Sequence, residues 1–312
     1  MSAIVVIGSL NMDIVAVAPR LPLPGETLTG SRYLNEPGGK GANQACAAAR
    51  LGGDVAMLGR VGSDDHGKRM LANLAAAGCD VSSVGQVEGA SGVAVIVVAE
   101  SGANSIVVVP GANHAYLPAD VLHEQHHLAR AKFALLQLEI PLATVVEAAR
   151  VASRAGAQVI LDPAPALASL PRELLEHVDV LTPNETEAAM LVGEQGEEPS
   201  IAGRLGSADD AHAVAAKLQL LGAKAVILKL GARGCLLVEG KTATLIPAPQ
   251  VKAIDTTAAG DVFNAAFAVA CAEGASRLDA CRFAVRAAAL SVTKLGAQAS
   301  MPTRADLNAA AF

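Results

Sequence analysis

From about residue 117 the chain repeats one pattern, an apolar run followed by a stretch of helical period. The runs are Phe133–Gln137, Val159–Leu161, Val178–Leu181 and Ala225–Leu228, and between them lie Pro141–Ala155, Glu185–Val192 and Ala208–Leu221. Strands that alternate with helices argue for a parallel, doubly wound α/β sheet with helices on both faces. Composition agrees: 52% of residues are hydrophobic but only 2% are aromatic, and Trp is absent. A core of Ala, Val, Leu and Ile suits helices packed on such a sheet.

The first third adds a different element. Ala3–Gly8 reads as a buried core strand. Ile14–Val17 and Glu26–Tyr33 read as strands joined by a loop with Pro19, Pro22 and Pro24-Gly25, and Gly92–Val98 and Ser105–Pro110 form a second alternating pair. These pieces, about 12–35 and 91–112, predict a small β lid outside the main sheet, with the whole of 1–312 as a single domain. The alternating outer face of the lid permits pairing of two copies as a homodimer. An Ala-rich helix runs to Arg50, Val55–Val61 is a strand, and Asp64–Ala77 is a helix. Cys235–Glu239 and Thr242–Ile246 flank a Gly240-Lys241 turn, and Ala259–Glu273 and Leu278–Leu295 are the last long helices. Glu194–Gly206 has no periodicity and reads as a surface loop.

Several function classes drop out. The net charge is -6 without a basic run, so no nucleic-acid footprint exists. No apolar stretch reaches the roughly 18 residues of a membrane span, and Ala3–Ile7 is too short for a signal sequence. Five cysteines with no Cys-x-x-Cys spacing predict a reducing, cytoplasmic setting and no zinc site. Gly62-x4-Gly67-Lys68 has phosphate-loop spacing but is followed by Arg69 instead of a hydroxyl residue, and reads as a strand-to-helix turn. Gly240-Lys241-Thr242 sits in a hairpin. A Gly-x-Gly-x-x-Gly dinucleotide fingerprint is missing after the first strand. His123, His126 and His127 read as a solvated helix face.

The strongest chemical segment is Asp255-Thr256-Thr257-Ala258-Ala259-Gly260-Asp261, which leads into an apolar helix. Unfilled N–H groups at a helix start favour an anion, and small side chains let a phosphate approach the backbone. Asp261 is the candidate catalytic base, and Ala258, Ala259 and Gly260 the candidate anion hole. Gly38-Gly39-Lys40-Gly41-Ala42-Asn43 places three glycines before a helix, where a ligand can approach bare backbone. Asn11, Asp13 and Glu139 follow strand ends, and strand carboxyl ends line the ligand crevice of such sheets. Asn184 and Glu187, three apart at a helix start, suit a hydrated magnesium. Leu230–Gly234 is a further Gly-rich turn.

Together these segments resemble the ribokinase-like (PfkB) family of carbohydrate kinases, in order and over nearly the whole chain. Gly8–Asp13 is similar to that family's first sugar-binding strand end, Gly38–Asn43 to its glycine-rich sugar motif, and Thr182–Glu187 to its Asn-x-x-Glu magnesium motif. Asp255–Asp261 resembles the family signature, in the version of the family's namesake, and Gly296–Ser300 its late cation-holding segment. The resemblance implies ATP-dependent phosphorylation of a small sugar, most simply D-ribose to D-ribose 5-phosphate, with Asp261 as base. Another pentose, a hexose or a nucleoside is the alternative acceptor, and a silent sugar- or nucleotide-binding protein is the alternative of another class. By the resemblance, Asn11, Asp13, Gly39, Lys40, Gly41, Asn43 and Glu139 contact the sugar. Asn184, Lys229, Gly231, Arg233, Gly234, Gly260 and Val285 face ATP, with Val285 where relatives often carry a polar residue near adenine. Glu187 holds magnesium through water, and Asp255, Thr257, Ser291, Lys294, Gly296 and Ser300 surround an activating potassium ion. Ala299 replaces a frequent Pro in that late segment.

Overall fold

A computed structural model describes residues 3–193 and 208–312, so the loop expected at Glu194–Gly206 lies outside the described residues. In chain order the first elements are β1 (Ile4–Ile7), β2 (Asn11–Ala18), β3 (Arg32–Gly38), α1 (Lys40–Arg50), β4 (Val55–Gly62) and α2 (Asp65–Ala76). Then come β5 (Val84–Val87), β6 (Gly92–Ala99), β7 (Asn104–Val109), α3 (Pro118–His123), α4 (Gln125–Leu128), β8 (Phe133–Leu136), α5 (Leu142–Arg154) and β9 (Gln158–Leu161). Next are α6 (Arg172–Leu175), β10 (Val180–Leu181), α7 (Glu185–Leu191), α8 (Ala208–Leu220), β11 (Ala225–Lys229), β12 (Cys235–Glu239) and β13 (Thr242–Ile246). The chain closes with α9 (Ala259–Ala272), α10 (Arg277–Ser291) and α11 (Arg304–Ala309).

The main sheet has nine strands in the order β13-β12-β11-β10-β9-β8-β1-β4-β5. All neighbours pair in parallel except β11–β12 and β12–β13, the expected hairpin at one edge. The two-residue period of β1 separates two cores. Ile4 and Val6 pack with Val262 and Phe267 of α9 and Cys281 of α10. Val5 and Ile7 pack on the opposite face with Val145 and Ala149 of α5 and Val214 of α8. Helices therefore cover both faces, as parallel sheets require. The chain runs outward from β1 in one direction through β4 and then in the other through β8. The carboxyl ends of β1 and β8 thus border a topological switch point, where open α/β sheets take their ligands.

Four strands form a separate sheet, β3-β2-β6-β7. Its inner pair, β2–β6, is parallel, and each is flanked by its antiparallel hairpin partner. Here the structure departs from the sequence reading. The third strand is Arg32–Gly38, not Glu26–Tyr33. Pro37, which argues against a strand in a sequence, is tolerated because β3 is an edge. Glu26 instead closes the preceding loop, accepting from Leu23 N at 3.0 Å and from Arg20 Nη1 at 2.6 Å. Strand β2 begins at Asn11, so Asn11 and Asp13 belong to this sheet and not to a loop after β1. Strand β5, too short and polar to stand out in the sequence, joins β4 in parallel. Helix α10 stops at Ser291, short of Leu295, and the Val292 carbonyl just beyond accepts from Ile254 N at 2.7 Å.

The Gly62–Gly67 turn is a helix cap: Asp64 Oδ1 accepts from Gly67 N at 2.8 Å. His123 and His126 are exposed and His127 half-buried, and among the described residues no cluster of three His, Cys, Asp or Glu could hold a metal. No described helix is long and apolar enough to cross a membrane.

Candidate active site

The glycine-rich entry to α1 explains how the site is built. Gly39 takes φ 87°, and a Cβ there would lie 2.6 Å from Asn11 N. A Cβ on Gly41 would lie 2.6 Å from Ser9 N. Bare backbone lets α1 sit against the end of β1, with Ala42 N donating to Ser9 O at 2.8 Å. The helix start then presents Lys40, Asn43 and Gln44 to the sheet end. Lys40 N donates to Glu139 Oε2 at 3.0 Å, and the Ser9 hydroxyl donates to the same oxygen.

Asp261 lies in the first turn of α9 and is 6% exposed. Its Oδ2 accepts from Asn43 Nδ2 at 3.0 Å and its Oδ1 from Gln44 Nε2 at 3.1 Å. Burial pushes its carboxyl up to about 6, against the pull of Lys40, with Asp162 adding to the rise. Burial also raises Asp13 to about 7, with Glu139, Asp261 and Glu36 as further causes. Lys40 loses by burial but is held well above the usual ammonium range by Asp261, Asp162, Glu139 and Glu187. Ala258, just before α9, is the one described non-glycine residue with positive φ, at 59°. Ala259 N donates back to Thr256 O at 3.2 Å, while the N–H groups of Gly260 and Asp261, also in the first turn of α9, have no carbonyl of their own helix one turn earlier. A Cβ on Gly260 would come 3.3 Å from Lys229 Nζ, so this turn sits over an ammonium group.

Lys229 ends β11 and pairs with Asp162 Oδ1 at 2.9 Å. Gln44 Nε2 also donates to Asp162 Oδ2 at 3.1 Å, so one amide touches both carboxylates. Asn184 and Glu187 form a reciprocal cap at the start of α7: Glu187 N donates to Asn184 Oδ1 at 2.8 Å, and Asn184 N to Glu187 Oε2 at 2.7 Å. Asn184 also bridges the Lys229 backbone. Burial raises the Glu187 carboxyl, Lys229 opposes this, and Asp162 adds to it. Gly231 and Gly234 form the turn after β11, and Arg233 in that turn pairs with Glu185.

Among the expected cation residues, hydrogen bonds join Asp255, Thr257 and Gly296. Asp255 Oδ1 accepts from Thr257 N at 2.9 Å and Oδ2 from Gly296 N at 2.9 Å. Burial opposes its charge, but the Thr257 and Gly296 bonds hold the carboxyl below its usual range. The hydroxyls of Ser291 and Ser300 donate to Ala288 O and Ala297 O, and Lys294 is exposed. Val285 is buried on α10 and lines a groove of about 490 Å³ with Ile246, Pro247 and Ala248, the stretch of main chain against which Gly234 packs.

Sequence reasoning passed over Ser9, Gln44, Asn113 and Asp162. Asn113 pins the β1–β2 link by accepting from Leu10 N at 2.9 Å and donating to Asn11 Oδ1 at 2.7 Å. Asp162 directly follows an apolar strand, the same signal that singled out Glu139.

A family model described as pfkB family carbohydrate kinase matches residues 1–304. A ribokinase of Bacillus subtilis is 44% identical over 308 residues, covering 98% of each chain. A ribokinase of Haemophilus influenzae is 43% identical over 304 residues, with 96% of this chain and 95% of the relative covered. Among solved structures, Arabidopsis thaliana ribokinase complexed with ribose and ATP superposes with a TM-score of 0.89 at 37% identity, covering 98% of this chain and 97% of that one.

Proposed function

The chain belongs to the pfkB family of carbohydrate kinases, and from that membership we propose that it is an ATP-dependent kinase converting D-ribose to D-ribose 5-phosphate. The observation that carries this reading is Asp261: a buried carboxylate held by two amides beside a helix start of small residues. Phosphoryl transfer needs positioning and charge stabilisation more than covalent help. Asp261 takes the proton of the sugar's primary hydroxyl as that oxygen attacks the γ-phosphorus of ATP, and ADP leaves. The N–H groups at Ala258, Ala259 and Gly260 stabilise charge on the moving phosphoryl group. Asn11, Asp13, Gly39, Lys40, Gly41, Asn43 and Glu139 hold the sugar. Asn184, Lys229, Gly231, Arg233 and Gly234 hold the nucleotide, and the small sheet acts as a lid that excludes water.

The donor set fits magnesium brought in with ATP. Glu187 has both carboxylate oxygens partly engaged in its cap, and Asp162 lies near, which suits an ion that keeps most of its waters. Magnesium neutralises charge on the phosphates. The Asp255 carboxylate and the turn at Gly296–Ser300 fit a monovalent cation, proposed to be potassium, which holds the anion hole in shape.

An ADP-release assay tests these points. Release is expected with D-ribose above other sugars and nucleosides, to vanish without magnesium, and to rise when potassium is added to buffer free of monovalent metal ions. Equal rates with and without ribose would sink the proposed activity, and equal rates with and without potassium the cation site. With Asp261 raised to about 6, the base is ionised above that pH and protonated below it. Turnover is therefore expected to fall about tenfold per pH unit below roughly 6. A rate that stays flat down to pH 4.5 would remove the group from this role.

We further propose a homodimer formed through the lid. Ile106, Val107 and Val109 of β7 are each more than half exposed, an apolar strip on an unpaired edge. Val107→Lys is expected to shift sedimentation from dimer to monomer, and a monomeric parent would end the idea. The five free thiols fit the proposed cytoplasmic location.

A further inference from the structure

An amide has a donor end and an acceptor end, and around Asp261 both ends are spoken for. Asn43 Nδ2 donates to Asp261 Oδ2 at 3.0 Å. The other end of that amide, Asn43 Oδ1, accepts from Gln298 Nε2 at 3.1 Å. Gln298 Oε1 in turn accepts from Asn73 Nδ2 of α2. The polarity runs one way, from Asn73 through Gln298 and Asn43 to the carboxylate. The backbone of Gln298 is held separately, with Arg50 Nη1 donating to its carbonyl at 3.2 Å. The second carboxylate oxygen has a matching arrangement: Gln44 donates to it, and Gln137 Nε2 orients Gln44 by donating to Gln44 Oε1 at 2.8 Å.

We infer that Gln298 is a positioning residue for the reaction, fixing which end of the Asn43 amide faces Asp261. The inference rests on the reading of Asp261 as base. Without the Gln298 donor, Asn43 is free to turn over and present its oxygen to the carboxylate. A donor bond favours the ionised carboxylate and a facing oxygen disfavours it. Gln298 touches neither the carboxylate nor the residues assigned to sugar and nucleotide except Asn43. It lies 5% exposed in the turn that follows Gly296, whose N–H binds Asp255. The proposed cation loop and the base are thus joined by two hydrogen bonds through side chains. A cavity of about 730 Å³, lined by Glu36, Arg50, Arg69 and Asn73, reaches Gln298 from the surface.

The test is the pH profile of turnover, because a merely structural role would move the melting temperature and leave the profile in place. Lys40 from α1, Asp162 after β9 and Asp13 from β2 also face Asp261, and none of them changes in these variants. Gln298→Met keeps the length without a donor. It is expected to move the acid limb up by about one pH unit, which lowers turnover roughly twofold at pH 7 and about tenfold at pH 5. Gln298→Glu keeps the shape but can only accept, so the Asn43 amide turns and the limb moves at least as far. Both variants within twofold of the parent at pH 5, with the limb unmoved, overturn the inference. If neither variant folds, Asn73→Ala, at the half-buried start of the relay, is measured instead. The limb is expected to move the same way by less, and an unmoved limb overturns the inference. A parent with no ribose-dependent ADP release is a failure of the proposed activity, visible before any variant is made.

Discussion

Replacing Asp261 by Asn is expected to leave a folded protein that binds ATP and turns over about 10²–10⁴ times more slowly. Asn cannot accept the hydroxyl proton, which is the whole of the loss if Asp261 is the base. The structural cost is small because two effects oppose. Both carboxylate oxygens accept from amide nitrogens, Asn43 Nδ2 and Gln44 Nε2, so an introduced NH₂ faces a donor on one side. A mismatched buried pair costs about 1–3 kcal/mol. Against this, the variant no longer holds a buried carboxylate next to Asp162, the arrangement that lifts the parent group to about 6. Were Asp261 only a charge at the start of α9, the change would cost roughly 0.3–1 kcal/mol of stability and leave turnover nearly intact. Steady-state rates and a melting curve separate the two, since each role acts on a different observable. Turnover within a few-fold of the parent would remove Asp261 as base.

The second large effect is expected on the fold itself. Gly39 has φ 87° and ψ 135°, a region that residues with a Cβ adopt at a cost of about 1–3 kcal/mol. In Gly39→Ala the new methyl would also lie 2.6 Å from Asn11 N and 3.1 Å from the Leu10 backbone. Those atoms are main chain, fixed by Asn113 and by the pairing of Asn11 with Gly38 and Gly92, and have no rotamer to change. Overpacking of this kind adds about 1–3 kcal/mol. The sum is a large part of the roughly 5–15 kcal/mol by which proteins are stable. A melting temperature lower by roughly 5–15 °C follows, together with weakened ribose affinity, since Asn11 must move. An unchanged melting curve would mean that the entry to α1 is looser than this geometry.

How much of this was legible in the sequence depends on the length scale of each signal. The parallel sheet was readable because βαβ alternation is local and repeated, from Phe133 to Leu228. Asp261 was readable because an acid, small residues and an apolar helix follow one another directly. The edge strand at Arg32–Gly38 was hidden by Pro37, whose tolerance depends on which strand lies beside it. The partners of Asp261 were only half visible. Asn43 stood in a glycine-rich motif, whereas Gln44, one residue on, and Asp162, over a hundred residues away, become partners only when β9 and α1 meet. The Gln298 contact spans 255 residues and leaves no trace in any local pattern.

The small sheet is joined to the body by four passages of chain, after β1, before α1, before β6 and after β7. Three of them carry Gly39, Gly92 or Gly111, each packed too closely against neighbouring main chain or amide groups to bear a Cβ. Its two hairpins leave and return at one common root, where Asn11 pairs with both Gly38 and Gly92. In mechanical terms it is a plate on four short legs, not a flap on a single hinge. Attachment at four points braces such a plate more firmly than a single hinge would, and sets Asn11 and Asp13 beside the glycine-rich entry to α1. A graft or label at the far tips, near Leu23 or Gly102, lies away from all four attachments.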